Sequence, residues 1–211
     1  MSLNYGTLKS LILSTAHRPE LTTEAADFVR YAEGVIARRL RAAEMLTRVD
    51  LTDSDRVTVD EGFFTLPADF LEERSFFCEG TPSYWLEKVS LAELRQLSGS
   101  SPVRWFNIVS PSEVEFRGVP STTTTLELIY FARPAAFSSD GDTNALLTNH
   151  EGIYLDLGLE ALYKWTQDLE LAQVHSDSAV NAIEALNEQA GRMMGGQRTR
   201  GYYSLSSYGR R

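Results

Sequence analysis

The spacing of apolar residues changes twice along this chain, and that change limits its fold more than any other feature. Near the start, Leu8, Leu11, Ile12 and Thr15 mark a short amphipathic helix. It should stop near His17-Arg18-Pro19, because the residue before a proline is pushed out of helical geometry. A second helix is expected after Leu21, capped by Thr22 or Thr23, with Val29, Ala32, Ile36, Leu40 and Ala43 as its apolar stripe. Glu24 and Asp27 open it, while Arg38, Arg39, Arg41 and Arg48 fill its last turns, an order that suits the helix dipole. From about residue 47 to 132 the period becomes that of a strand. Val57 and Val59 alternate with polar residues, and further strands are expected at 63–66, 75–79, 84–89, 104–109, 113–117 and 123–131. Pro67 interrupts the sheet, since proline cannot sit in a central strand. One small helix is expected at 90–97, where Ser90 followed by Glu93 forms a capping-box pattern.

Helical spacing returns after Pro134 and a loop at 137–149. Leu155, Leu159, Leu162, Tyr163 and Trp165 predict a helix over 151–172. Ser176 is expected to cap another, striped by Val180, Ile183, Leu186 and Ala190 and running to about Met194, so that the two form an antiparallel hairpin. The fold class is therefore α+β. Residues 1–46 and 133–194 form a mainly helical body, 47–132 an inserted small antiparallel β-sheet or partial barrel, and 195–211 an extended C-terminal tail.

Charge separates the tail from the rest. The whole chain of 211 residues carries −9, but residues 195–211 hold four arginines and no acid. Residues 1–194 are left with 16 Lys and Arg against 29 Asp and Glu, a net −13. Such a body is poorly suited to wrapping duplex DNA, because phosphate contact needs a basic face. A basic tail is suited to finding an acidic surface, including that of a neighbouring copy. The tail places Tyr202, Tyr203, Leu205 and Tyr208 among Arg198, Arg200, Arg210 and Arg211. Tyr and Arg are enriched at binding hot spots, so these eight residues are read as a docking segment rather than a loose end.

Catalytic patterns are scarce. The chain has no Gly-x-Ser-x-Gly, phosphate-binding loop, dinucleotide fingerprint or His-Glu-x-x-His. Its single cysteine, Cys78, reads as a small buried core residue and excludes an internal disulfide. His17, His150 and His175 match no metal spacing. Asp140, Asp142, Asn144 and Glu151 fall at the spacing of a calcium loop, but Ala145 occupies the glycine position, and an ordinary strand-to-helix connection is expected there. Glu72-Glu73 and Glu113/Glu115 are the candidate carboxylate pairs of a glycan hydrolase, and solvated surface is the expected reading of both. No cofactor or metal is expected. No apolar run reaches membrane-span length, and the first residues lack a signal-peptide pattern, so a cytoplasm, or a particle assembled in one, is expected.

The order of these elements resembles the head-to-tail adaptors of tailed phages, most closely the tail accessory or gatekeeper proteins of short-tailed phages. The likeness is carried by Asp27-Phe28-Val29-Arg30-Tyr31-Ala32-Glu33, Leu66-Pro67-Ala68-Asp69-Phe70-Leu71-Glu72, Leu126-Glu127-Leu128-Ile129-Tyr130-Phe131-Ala132, and Thr143-Asn144-Ala145-Leu146-Leu147-Thr148-Asn149-His150 before Tyr154-Leu155. Ala145 stands where a tryptophan is more usual, and Glu151-Gly152 replaces a proline-led helix start. The resemblance implies a non-enzymatic virion protein of the neck. It would form a ring of about twelve copies beneath the portal, continuing the DNA channel and providing a platform for the tail. Implied partners are the portal, neighbouring copies, tail nozzle or fibre proteins, and DNA that passes without sequence-specific binding, with no membrane. The tail arginines and tyrosines would dock on the portal or a neighbour, and Arg38, Arg39 and Arg41 would lie on the ring-body helix surface. Two other classes compete: a small cell-wall hydrolase, which needs a pocket with two carboxylates, and a DNA-binding module, which the acidic body disfavours.

Overall fold

The computed structural model describes residues 3–52, 55, 62–79, 83–97, 102–118 and 125–193. The first helix, α1 (Tyr5–Thr15), starts with a reciprocal cap. Asn4 Oδ1 accepts the Thr7 amide at 2.8 Å, and Thr7 Oγ1 accepts the Asn4 amide at 2.8 Å. It ends where expected, but the stop is made by His17 in left-handed geometry, with Arg18 N–H on Leu13 O and His17 N–H on Ser14 O. The second helix, α2 (Ala25–Arg39), begins at Glu24 without a side-chain cap, so neither Thr22 nor Thr23 caps it. It is also shorter than its arginine run: Leu40 is already extended, Arg41 lies beyond the helix, and Arg48 sits on a strand.

That strand, β1 (Leu46–Leu51), opens the β region. It is followed by β2 (Phe63–Thr65), β3 (Phe70–Glu79), β4 (Tyr84–Trp85), β5 (Glu87–Lys88), helix α3 (Leu91–Gln96), β6 (Trp105–Ser110), β7 (Glu113–Arg117) and β8 (Thr125–Ala132). Two four-stranded sheets result, ordered β1-β8-β3-β4 and β2-β7-β6-β5. All pairings are antiparallel except β5 with β6. The sheets share one aromatic core in which the Phe76 ring lies 4.5 Å from Phe106 and 5.2 Å from Phe116. Cys78 is buried in that core. Ser90 caps α3 by accepting the Glu93 amide at 3.2 Å. The expected Val57/Val59 strand lies outside the described residues.

The last zone differs from its sequence reading at two places. A short helix, α4 (Ala145–Asn149), forms inside the expected loop, because Asn144 Oδ1 accepts the Leu147 amide and caps it. The hairpin is built from α5 (Glu151–Trp165) and α6 (Leu169–Met193), so Ser176 lies inside a helix and caps nothing. The break falls at Thr166-Gln167-Asp168. Gln167 is left-handed (φ 64°), Asp168 N–H reaches Tyr163 O at 2.9 Å, and Gln167 N–H reaches Lys164 O at 3.2 Å. Asp168 Oδ1 then accepts the Leu171 amide and starts α6.

The helices have their own core, centred on Ile12, Ile36, Leu147, Tyr154 and Leu162. β8 joins it to the β core: Leu126, Leu128 and Tyr130 face the sheets, while Phe131 is buried among the helices. The helical core also contains a charged node. Glu160, 4% exposed, accepts from Tyr31 Oη at 3.1 Å and from Lys164 Nζ at 2.5 Å. That hydrogen bond raises the Lys164 pKa.

Candidate assembly surfaces

Among the described residues the unpaired charge concentrates on two helices. The outer side of α2 carries Arg30, Gly34 and Arg38 at successive steps of four, hence on one face. Beside it, the chain leaving β8 brings Arg133, Pro134 and Ala136, and the two segments flank an open groove of about 340 Å³. The lining holds one carboxylate, Glu33. Its Oε1 accepts the Phe137 amide at 2.9 Å, and burial raises its pKa despite that bond and nearby Arg30. Tyr154 also lines the groove. Its hydroxyl accepts from Asn144 Nδ2 at 3.1 Å, and burial pushes its pKa up to about 12. Arg30 pairs with Asp27 at 2.7 Å, whereas neither Arg38 nor Arg133 forms an ion pair among the described residues.

Arg38 and Arg39 stand exposed at the end of α2. Arg41 does different work. Its guanidinium donates to Glu72 Oε2 at 2.7 Å and to Leu40 O at 2.7 Å, and its backbone N–H donates to Asn187 Oδ1 at 2.7 Å. Asn187 Nδ2 in turn donates to Arg39 O at 3.0 Å. Arg41 thus clasps α2 to β3 and α6. The tail residues Arg198, Arg200, Tyr202, Tyr203, Leu205, Tyr208, Arg210 and Arg211 lie outside the described residues.

The second surface is the outer face of α6. Glu170, Val174, Asp177, Asn181, Glu184 and Glu188 follow at steps of three or four and are all exposed. None of the four acids forms an ion pair among the described residues; Asp177 accepts only from Gln173 Nε2 at 2.7 Å. At the hairpin turn Trp165 is 56% exposed and Leu169 70%, and Val174 on the stripe is 61% exposed. A cluster of exposed apolar side chains beside charge is typical of contact surfaces.

The remaining candidates are occupied within the chain. Ala145 begins α4, so the middle of the proposed calcium loop is helical and cannot wrap an ion as that loop requires. Asp142 instead accepts from the amides and hydroxyls of Ser138 and Ser139, which hold its pKa far below the usual carboxylate range. Asp140 pairs with Lys9 at 2.7 Å and raises the lysine's pKa. His150 meets Glu44 at 3.1 Å, and His175 meets Asp156 at 2.9 Å. The carboxylate pairs are not simply solvated surface. Glu72 pairs with Arg41 and Glu73 with Lys88, while Glu115 is only 5% exposed on β7 beneath α3, 3.9 Å from Arg95. Its Oε2 has no hydrogen-bond partner among the described residues. The alternation of β7 in sequence could not reveal that α3 covers its polar side.

Reading the sequence alone misses Arg133 and Gly34 as groove residues. Arg133 follows a strand and belongs to no period, so only its position in space gives it meaning. No curated protein matches the chain. The family model described as SU10 adaptor protein matches residues 3–201, nearly the whole chain. The chain thus belongs to the SU10 adaptor protein family, a phage head-to-tail adaptor family of structural virion components.

Proposed function

We propose that this protein forms a ring of about twelve copies beneath the portal, extends the DNA channel and presents the attachment platform for the tail. The family match over residues 3–201 carries this reading. In it the helical body (1–46 and 133–194) builds the ring, and the β-rich insertion (47–132) faces tail nozzle or fibre proteins. The tail docks on the portal through Arg198, Arg200, Tyr202, Tyr203, Leu205, Tyr208, Arg210 and Arg211. The charge distribution supports it: a body of −13 repels the DNA backbone and lets it slide, while the basic tail seeks an acidic partner. Mass measurement and electron microscopy of the full chain with its portal provide the test. A closed ring on the portal is expected, and deletion of residues 198–211 should abolish its attachment. A chain that stays monomeric and never engages portal would contradict the proposal.

A further inference from the structure

We propose that the arginine-lined groove of α2 receives the acidic outer face of α6 from a second copy of this chain, joining copies head to tail. This rests on the ring reading above and names the surfaces that would close the ring.

The two surfaces fit in charge, spacing and shape. Arg30, Arg38 and Arg133 line the groove against one acid, Glu33, which is already engaged by the Phe137 amide. The α6 face offers Asp177, Glu184 and Glu188 with no cation among them. Arg30 and Arg38 are eight residues apart, about 12 Å along the helix, and Asp177 and Glu184 seven apart, about 10.5 Å. Two packed helices can therefore oppose both pairs at once. Gly34 sits between the two arginines, and a Cβ placed there would meet nothing within 4 Å among the described residues, so an incoming helix can approach the α2 backbone closely. Exposed Val174 gives the acidic stripe an apolar element to set against Ala37, Pro134 and Ala136 of the groove.

The occupant follows from the geometry of the chain itself. Among the described residues no ion pair joins the two surfaces within one copy, and Asn187 fixes α6 against the end of α2 through Arg39 and Arg41, leaving both outer faces exposed. The surfaces are different and complementary, not alike. A contact between different patches is heterologous, so each copy offers a free groove on one side and a free stripe on the other. Repetition of that contact generates a ring where the rotation closes.

Charge reversal in the full chain tests this pairing, with portal present and absent. All four target positions are exposed, and near-ultraviolet circular dichroism checks the fold. R38E/R133E and E184R/E188R should each weaken self-association at least about tenfold, because like charges then face each other. Mixing the two variants, or combining all four substitutions, should restore rings. Rings indifferent to both reversals would overturn the pairing and leave the ring reading standing. So would loss that neither mixing nor combination repairs, whereas two-fold dimers in place of rings would overturn the ring reading and the pairing together. A wild-type chain that is monomeric with and without portal would overturn the ring reading and the pairing together.

Discussion

The helical and β-rich halves bury their cores differently, and the difference bears on what each can do. The β half closes on itself through Phe64, Phe76, Phe106 and Phe116, packed edge-to-face or tilted between two sheets. The helical half is held by apolar packing and by polar clasps: Tyr31, Glu160 and Lys164 across α2 and α5, and Arg41 and Asn187 across α2, β3 and α6. It leaves an arginine groove and an acidic stripe outside. An aromatic core specifies one packing, while clasped helices can keep charged outer faces available for neighbours.

Breaking the aromatic core should have the largest effect. Phe76→Ala removes the ring shared by both sheets and should cost about 3 to 5 kcal/mol, measured by urea denaturation. Glu160→Ala leaves Lys164 and Tyr31 without their shared acceptor, but the Lys164 ammonium is half exposed, so the cost should be about 1 to 3 kcal/mol in the same assay. Gly158→Ala places a Cβ 2.4 Å from Ile12 Cδ1 where α1 crosses α5, and should lower stability by about 1 to 3 kcal/mol. A smaller effect belongs to pH. Asp142 and Glu44 both have lowered folded pKa values, Asp142 from the Ser138 and Ser139 hydrogen bonds and Glu44 from its own backbone amide and His150. Their contribution is complete above the unfolded values of about 4 and is lost as pH falls through the folded ones. Glu33 acts oppositely, because its pKa is raised. Asp142→Asn should therefore lower stability at pH 7 and converge on the wild type as pH falls below about 4, flattening the acid limb, read as Tm against pH.

Much of this architecture was legible because apolar period is a local property. The stripe of α2, the strand at β7 and the Ser90 cap all follow from neighbours in sequence. The α5–α6 joint was not, since its left-handed residue is Gln167 rather than the glycine that usually marks such a stop. The same substitution of signal occurs at His17, where Pro19 revealed the stop by another route. Strand β1 was hidden by its charged Arg48 and Asp50, of which Arg48 pairs with Glu79 and Glu127 across the sheet. Burial of Glu115 and the meeting of Arg133 with α2 depend on tertiary placement, which no local pattern carries.

Hydrogen–deuterium exchange of the chain alone and assembled on its portal tests most directly whether the helical half carries the assembly contacts. New protection is expected in peptides spanning α2 and the outer turns of α6, with little change in β3, β6 and β7. Protection confined to the β strands, with α2 and α6 exchanging as in the free chain, would contradict it.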